Sequence, residues 1–223
     1  MIINELLPKL EHHRTRLIYD SQLSRDILFY YHILPYYSQK DIYMVIYSDT
    51  AYRRHKIKYE QLKEKSPGIA EILDKANIIK IGYRDDTSFG KPYYFISETD
   101  LEEDINILGS VLEKLSDDDL VVSTGFFKLV ATFGKDIIQH VIKIVDFLPE
   151  KITMLSFYQS NLYDTRTNRL INKLYDIVIR IKDEVEITFG ENTYLIGVEE
   201  SIVWDVIPSF QRYKIVESMF VEI

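Results

Sequence analysis

The sequence has no cysteine in 223 residues and is sparing with glycine (8), proline (6) and tryptophan (1). Without cysteine there is no disulfide, thiolate nucleophile, Fe–S cluster or cysteine–zinc site. The segment Met1-Ile2-Ile3-Asn4-Glu5-Leu6-Leu7-Pro8-Lys9 lacks a basic stretch followed by a long apolar run, so no signal peptide is expected. The longest apolar runs are strand-sized, short of the ~18 residues of a membrane span, and a cytoplasmic protein is expected. Positive charge is also in short supply: 27 Lys and Arg stand against 35 Asp and Glu, a net charge of −8 with a pI near 5.2. An acidic chain gains nothing from counterion release on nucleic acid and is disfavoured at an anionic membrane, so neither partner is expected. His12, His13, His32, His55 and His140 are scattered, with no HExxH or His/carboxylate spacing, and there is no Gly-x-Ser-x-Gly elbow. The acidic Asp117-Asp118-Asp119, taken with Glu102, Glu103 and Asp104, matches no EF-hand. No metal or cofactor is expected.

What is abundant is apolar and charged: 46% hydrophobic and 28% charged residues, enough for a real core under a solvated surface. Residues 2–13 read as an amphipathic helix with Ile3, Leu6, Leu7 and Leu10 on one side. Leu17–Asp20 is a strand, followed by a helix to about Leu34 that Ser24 or Asp26 caps and Pro35 stops. Asp41–Tyr47 is continuously apolar, the mark of a parallel strand buried on both faces. Further strands are expected at 77–81, 92–97, 120–122, 152–158 and 177–181. Helices are expected at 57–75 (broken near Ser66-Pro67-Gly68), 100–115, 136–148 and 165–175. From about 183 to 223 the pattern changes to short alternating segments, 185–189, 193–198 and 212–217, which read as an antiparallel tail. Strands alternating with helices give a three-layer α/β/α architecture around a mostly parallel sheet. No linker or internal repeat divides the chain, so one domain spanning 1–223 is expected.

The chain is organised around the strand, polar loop and helix from Leu17 to Tyr30, where an α/β nucleotide-binding protein carries its phosphate loop. Ligands of open α/β sheets sit at the carboxyl ends of the strands. That edge gathers Asp20, Ser21, Gln22, Ser24, Arg25, Asp49, Arg53, Arg54, Ser123, Thr124 and Gln159 as candidate ligand-binding residues. Arg53-Arg54-His55-Lys56, with Tyr52 and Tyr59 beside it, is a weaker pointer to a phosphate or to the backbone of single-stranded nucleic acid, set against an ordinary exposed helix start neutralised by Glu60 and Glu64.

The order of elements resembles the RecA/KaiC-type ATPase core, and most closely KaiC-like proteins of hyperthermophilic archaea. Leu174-Tyr175-Asp176-Ile177-Val178-Ile179-Arg180-Ile181 resembles the penultimate-strand signature of KaiC-like proteins, followed by a hairpin and the final strand Tyr213-Lys214-Ile215-Val216. Met154–Gln159 resembles the strand ending in a polar sensor residue, and Tyr43–Asp49 the strand ending in paired glutamates. The resemblance implies the fold; the departures bear on the activity. Asp20-Ser21-Gln22-Leu23-Ser24-Arg25-Asp26 has no glycine and no lysine for a phosphate loop. The residue after Leu120-Val121-Val122 is Ser123 where the Walker B aspartate would fall. Ser48 and Asp49 stand where the glutamates would. Leu195-Ile196-Gly197-Val198-Glu199-Glu200 carries no Lys/Arg finger. Together these imply a domain that has lost ATP hydrolysis and acts as a protein-interaction or regulatory module, binding a partner or itself. The alternative is a small-ligand or atypical nucleotide-binding protein, possibly an enzyme, using the strand-end pocket. The tyrosines at 30, 31, 36, 37, 43 and 47, with Phe126, Phe127 and Phe133, are either core or a partner-binding face, since tyrosine is enriched at interfaces.

Overall fold

A computed structural model describes residues 3–125, 137–185 and 192–223. The strands are β1 Arg14–Tyr19, β2 Ile42–Tyr47, β3 Asn77–Gly82, β4 Lys91–Ser97 and β5 Leu120–Thr124. They continue with β6 Thr153–Gln159, β7 Ile177–Val185, β8 Asn192–Ser201, β9 Ser209–Val216 and β10 Met219–Glu222. The helices are α1 Ile3–Leu6, α2 starting at Gln22–Ile27, α3 Asp49–Lys65, α4 Pro67–Lys75, α5 Leu101–Leu112, α6 Ile137–Asp146 and α7 Thr165–Asn172. The strands form one sheet in the order β10-β9-β8-β7-β1-β6-β5-β2-β3-β4, parallel from β7 to β4 and antiparallel from β7 to β10. Among the described residues no helix is long and apolar enough to cross a membrane.

The continuous apolar character of the inner strands has the expected cause. Along β2, Met44 and Ile46 enter a core under α1–α4, while Val45 and Tyr47 enter a second core under α5–α7. A strand with helices on both faces has no solvent side to leave polar. The cores differ in reach. The first extends beneath the antiparallel tail, where Tyr194, Ile196, Val198, Tyr213 and Phe220 are buried against α1 and α2. Phe220 stacks on His32 at 5.8 Å between ring centroids and donates its backbone N–H to His32 Nε2 at 3.1 Å. The second contains no side chain of β8–β10 among the described residues. Among the described residues the opposite face of the tail is therefore uncovered, and Phe210, Val216, Met219, Val221 and Ile223 are 39–59% exposed on or beside β9 and β10.

Several boundaries depart from expectation for identifiable reasons. The N-terminal helix does not reach from 2 to 13. After α1 it tightens into a 3-10 turn, Leu7–Leu10, with Pro8 at its start, although Ile3, Leu6, Leu7 and Leu10 are buried as the pattern required. Pro35 does not stop α2, which passes into a π-helical stretch, Leu28–Ile33, and ends with Leu34–Tyr36. The wider turn has Leu34 N–H reaching Phe29 O, five residues back, and this shifted register accommodates the donor that Pro35 lacks. Neither Ser24 nor Asp26 caps α2; both lie inside it, and Ser21 is the cap. The basic run at 53–58 lies within α3 rather than before a helix, and β10 was not expected at all. Tyr30, Tyr37 and Tyr47 are 1–3% exposed and belong to the core rather than to a surface face. Phe126, Phe127, Phe133, Asp136 and most of the expected 185–189 strand lie outside the described residues.

Candidate functional site

The carboxyl edge of the parallel strands is built around a very short turn. β1 ends at Tyr19 and α2 starts at Gln22, so only Asp20 and Ser21 join them. The Ser21 hydroxyl accepts the Ser24 N–H at 3.2 Å, and Ser24 Oγ donates to Ser21 O at 3.0 Å. The helix start is thus occupied by its own cap. Ser24 is fully buried. Asp20 is exposed and accepts the Asp183 N–H at 3.3 Å.

Most of the remaining candidates fall into two groups. In the first, α2, α3 and the end of β5 meet. Thr124 Oγ1 lies 3.1 Å from His55 Nε2, and His55 Nδ1 lies 2.7 Å from the Tyr30 hydroxyl. Burial, with the Arg25 charge adding to it, holds the His55 ring well below its ordinary pKa and keeps it neutral. Arg25 is 6% exposed and pairs with Asp26 at 3.0 Å; Gln22 Nε2 donates to the same carboxylate oxygen at 3.0 Å. Arg54 joins this group from α3.

The second group lies beyond β2. Asp49 opens α3 and pairs with Lys80 Nζ of β3 at 3.0 Å; Asp86 pairs with the same ammonium at 2.9 Å. The ammonium also sits 4.5 Å from the Tyr52 ring centroid. Burial alone lowers the Lys80 pKa, but the hydrogen bonds and charges of Asp86 and Asp49 outweigh it and raise the value above the ordinary lysine range. Asp49 also accepts the Tyr83 N–H at 2.9 Å, and this bond with the Lys80 pair holds the carboxyl below the usual range against the opposing effect of burial. The cluster floors a cleft of about 880 Å³ that Arg53, Lys56 and Arg84 also line.

Gly82 leaves room for this arrangement, because a Cβ there would stand 2.8 Å from Asp49 Oδ1. Gly82→Ala is expected to push the carboxylate off Lys80 and to destabilise the fold by about 1–3 kcal/mol in chemical denaturation. Unchanged stability would show that Asp49 moves without cost.

Two candidates stay outside both groups. Ser123 is 1% exposed and alternates away from Thr124 toward the Tyr47 side, and Gln159 is exposed at the end of β6. Sequence reasoning missed His55 and Lys80 as organising residues, although both left a signal. Lys80 interrupts the apolar run of β3, and a buried lysine needs partners. His55 falls at helical spacing with Ala51, Tyr59 and Leu62 on the buried face of α3. Among the described residues no three His, Asp or Glu side chains gather in a metal-binding group.

No protein-family model matches the chain, and no curated protein matches its sequence. Solved structures do match in fold. A Pyrococcus horikoshii OT3 protein from a structural study superposes with a TM-score of 0.61 at 19% identity, covering 97% of this chain and 98% of the other. A KaiC-like protein from the same hyperthermophilic archaeon superposes with a TM-score of 0.60 at 9% identity, covering 96% of this chain and 90% of the other. The chain has a KaiC-like RecA fold, with flanking helices on a mostly parallel sheet and antiparallel C-terminal strands.

Proposed function

We propose that this chain is a non-catalytic RecA/KaiC-like domain that acts by binding protein, and that its partner is a second copy of itself. The observation that carries the reading is the open face of the antiparallel tail. Contiguous apolar side chains left uncovered on a sheet are a common mark of an interaction surface. Here Phe210, Val216, Met219 and Val221 share that face with two ion pairs, Arg180–Glu199 at 2.6 Å and Arg212–Glu184 at 3.2 Å. Lys182, whose ammonium is 5.8 Å from the Phe210 ring centroid, and Lys214 make the face cationic on a chain of net charge −8. The other end of the same sheet is complementary. Edge strand β4 exposes Tyr93 and Tyr94, and the acidic Glu98, Asp100, Glu102 and Glu103 lead into α5. A cationic apolar tail meeting an acidic aromatic edge is a heterologous contact between copies.

Loss of catalysis is supported by the two-residue, self-capped turn at the phosphate-loop position. A phosphate loop wraps its ligand with backbone N–H groups of a longer glycine-rich segment, and neither its glycines nor its lysine is present here. Ser123, Ser48 and Asp49 stand where the acidic machinery would be, and Ser48 and Asp49 are committed to capping α3 and holding Lys80. The isoleucine-rich, heavily charged composition is compatible with a protein of a thermophile.

The test is a tail variant. Met219→Glu combined with Val221→Glu places negative charge at exposed positions that would face an acidic partner surface. Sedimentation is expected to show the oligomer of the wild type reduced to monomer with little change in melting temperature. An unchanged mass distribution would remove the tail from the interface, and turnover of Mg-ATP above background would contradict the non-catalytic half of the reading.

A further inference from the structure

Arg25 stands out among the buried groups. It is 6% exposed; among the described residues its Nε and Nη1 have no well-formed hydrogen bond, while Nη2 pairs with Asp26 and the guanidinium lies against the Tyr30 hydroxyl. Buried guanidinium donors without acceptors are costly and rare, so the gap they face needs an occupant. Two hollows meet at this side chain. One, of about 30 Å³, reaches inward to His55, Thr124 and Phe157; the other, of about 250 Å³, opens outward past Tyr30, Lys58 and Gln61. Gln22, Arg25 and Arg54 line both.

The charge of the gap is the reverse of the chain's. Arg25, Arg54 and Lys58 are cationic, and among the described residues Asp26 is the single carboxylate in the lining, already engaged by Arg25 and Gln22. His55 adds no charge, since both its ring nitrogens are occupied by Tyr30 and Thr124 and it stays neutral. The inner hollow has room for a water or one oxygen atom of a larger group, not for a molecule.

The geometry points to a binding site for a phosphate-sized oxyanion between α2 and α3, with one oxygen in the inner hollow against Arg25 and the body of the anion between Arg25 and Arg54. Two guanidinium groups converging on one gap suit the planar, multidentate recognition of an oxyanion. The site uses side chains of two helices, and its inner end is too small for a base or sugar. A free anion and the phosphoryl group of a small monoester present the same chemistry to it.

The experiment is titration of the full chain with inorganic phosphate, sulfate and a small phosphomonoester against chloride at matched ionic strength. It is read by thermal shift and by 31P line broadening. Saturable stabilisation by phosphate that chloride does not reproduce is expected; a stronger response to the monoester would assign the natural ligand to that source. Arg25→Gln is expected to weaken binding by about tenfold or more, the loss of a charge-assisted contact. Arg54→Gln, at an exposed position that does not endanger folding, is expected to weaken it in the same direction. No saturable response in the wild type, or a response in both variants equal to that of the wild type, would overturn the site and leave the gap to water.

Discussion

Lowering the pH from neutral to about 4 is expected to cost the fold about 3 kcal/mol through His32 alone, with a further loss through His55. Both rings are neutral in the folded chain. Burial pushes His32 down to about 4, and burial assisted by the Arg25 charge pushes His55 well below its ordinary value. In the unfolded chain both protonate near 6.5. Between about 6.5 and the folded values the unfolded state binds more protons, so stability is full above about 6.5 and falls as the pH drops through that window. Each histidine contributes a slope of about 1.4 kcal/mol per pH unit there. Asp104 and Asp119, whose carboxyls burial raises, act in the opposite direction at the lower end of the range, so the difference between wild type and variant is the informative quantity. His32→Gln keeps an acceptor for the Phe220 N–H and removes the titrating group. Urea denaturation at several pH values between 7 and 4 is expected to give a variant slope shallower by one proton. Parallel curves would show that His32 titrates alike in both states.

Arg16→Ala is expected to destabilise the chain by about 3–5 kcal/mol, since it leaves both a cavity and unpaired acceptors. Arg16 lies in β1 with no exposure, and among the described residues its hydrogen-bond partners are amides and a carbonyl rather than a carboxylate. Its guanidinium donates to Asn168 O at 3.0 Å, Asn168 Oδ1 at 2.7 Å and Asn172 Oδ1, and it stacks 4.4 Å from the centroid of Tyr158. Asn172 in turn donates to Glu200 Oε1 at 2.9 Å, so the nearest negative charge acts through an amide. Burial lowers the Arg16 pKa, yet an arginine stays charged at any ordinary pH. Arg16→Met retains most of the volume and removes the buried charge, so it is expected to cost clearly less than Arg16→Ala. Equal losses for Ala and Met would mean that the hydrogen bonds, not the filled space, dominate. A loss below about 1 kcal/mol for Ala would mean that water replaces the side chain.

The fold was legible in this sequence because its strongest signals are local. The unbroken run Ile42–Tyr47 announces a strand covered on both faces, and the switch to short alternating segments after 183 announces antiparallel pairing. The errors cluster where a distant partner decides. Nothing near Pro35 foretells that α2 widens into a π turn and continues. Ser24 is as good a cap by type as Ser21, and only the length of the preceding turn selects between them. The candidate site was legible as an edge but not as chemistry. Topology brought Thr124 to Arg54, and helical spacing placed Asp49 and Arg53 on one side of α3, whereas Lys80 and His55 acquire their meaning from groups as distant in sequence as Asp49 and Thr124. The tyrosines illustrate the same limit. Their type fits a core or an interface equally, and only burial of Tyr30, Tyr37 and Tyr47 assigns those three to the core, while Tyr36 stays 40% exposed.

Sedimentation of the wild-type chain over a wide range of concentration tests the central reading most directly. A chain of 26.4 kDa that acts by binding its own copies is expected to sediment at a multiple of that mass, with the assembly weakened by salt because a cationic face meets an acidic one. A single species at 26.4 kDa across the whole range, indifferent to salt, would contradict it.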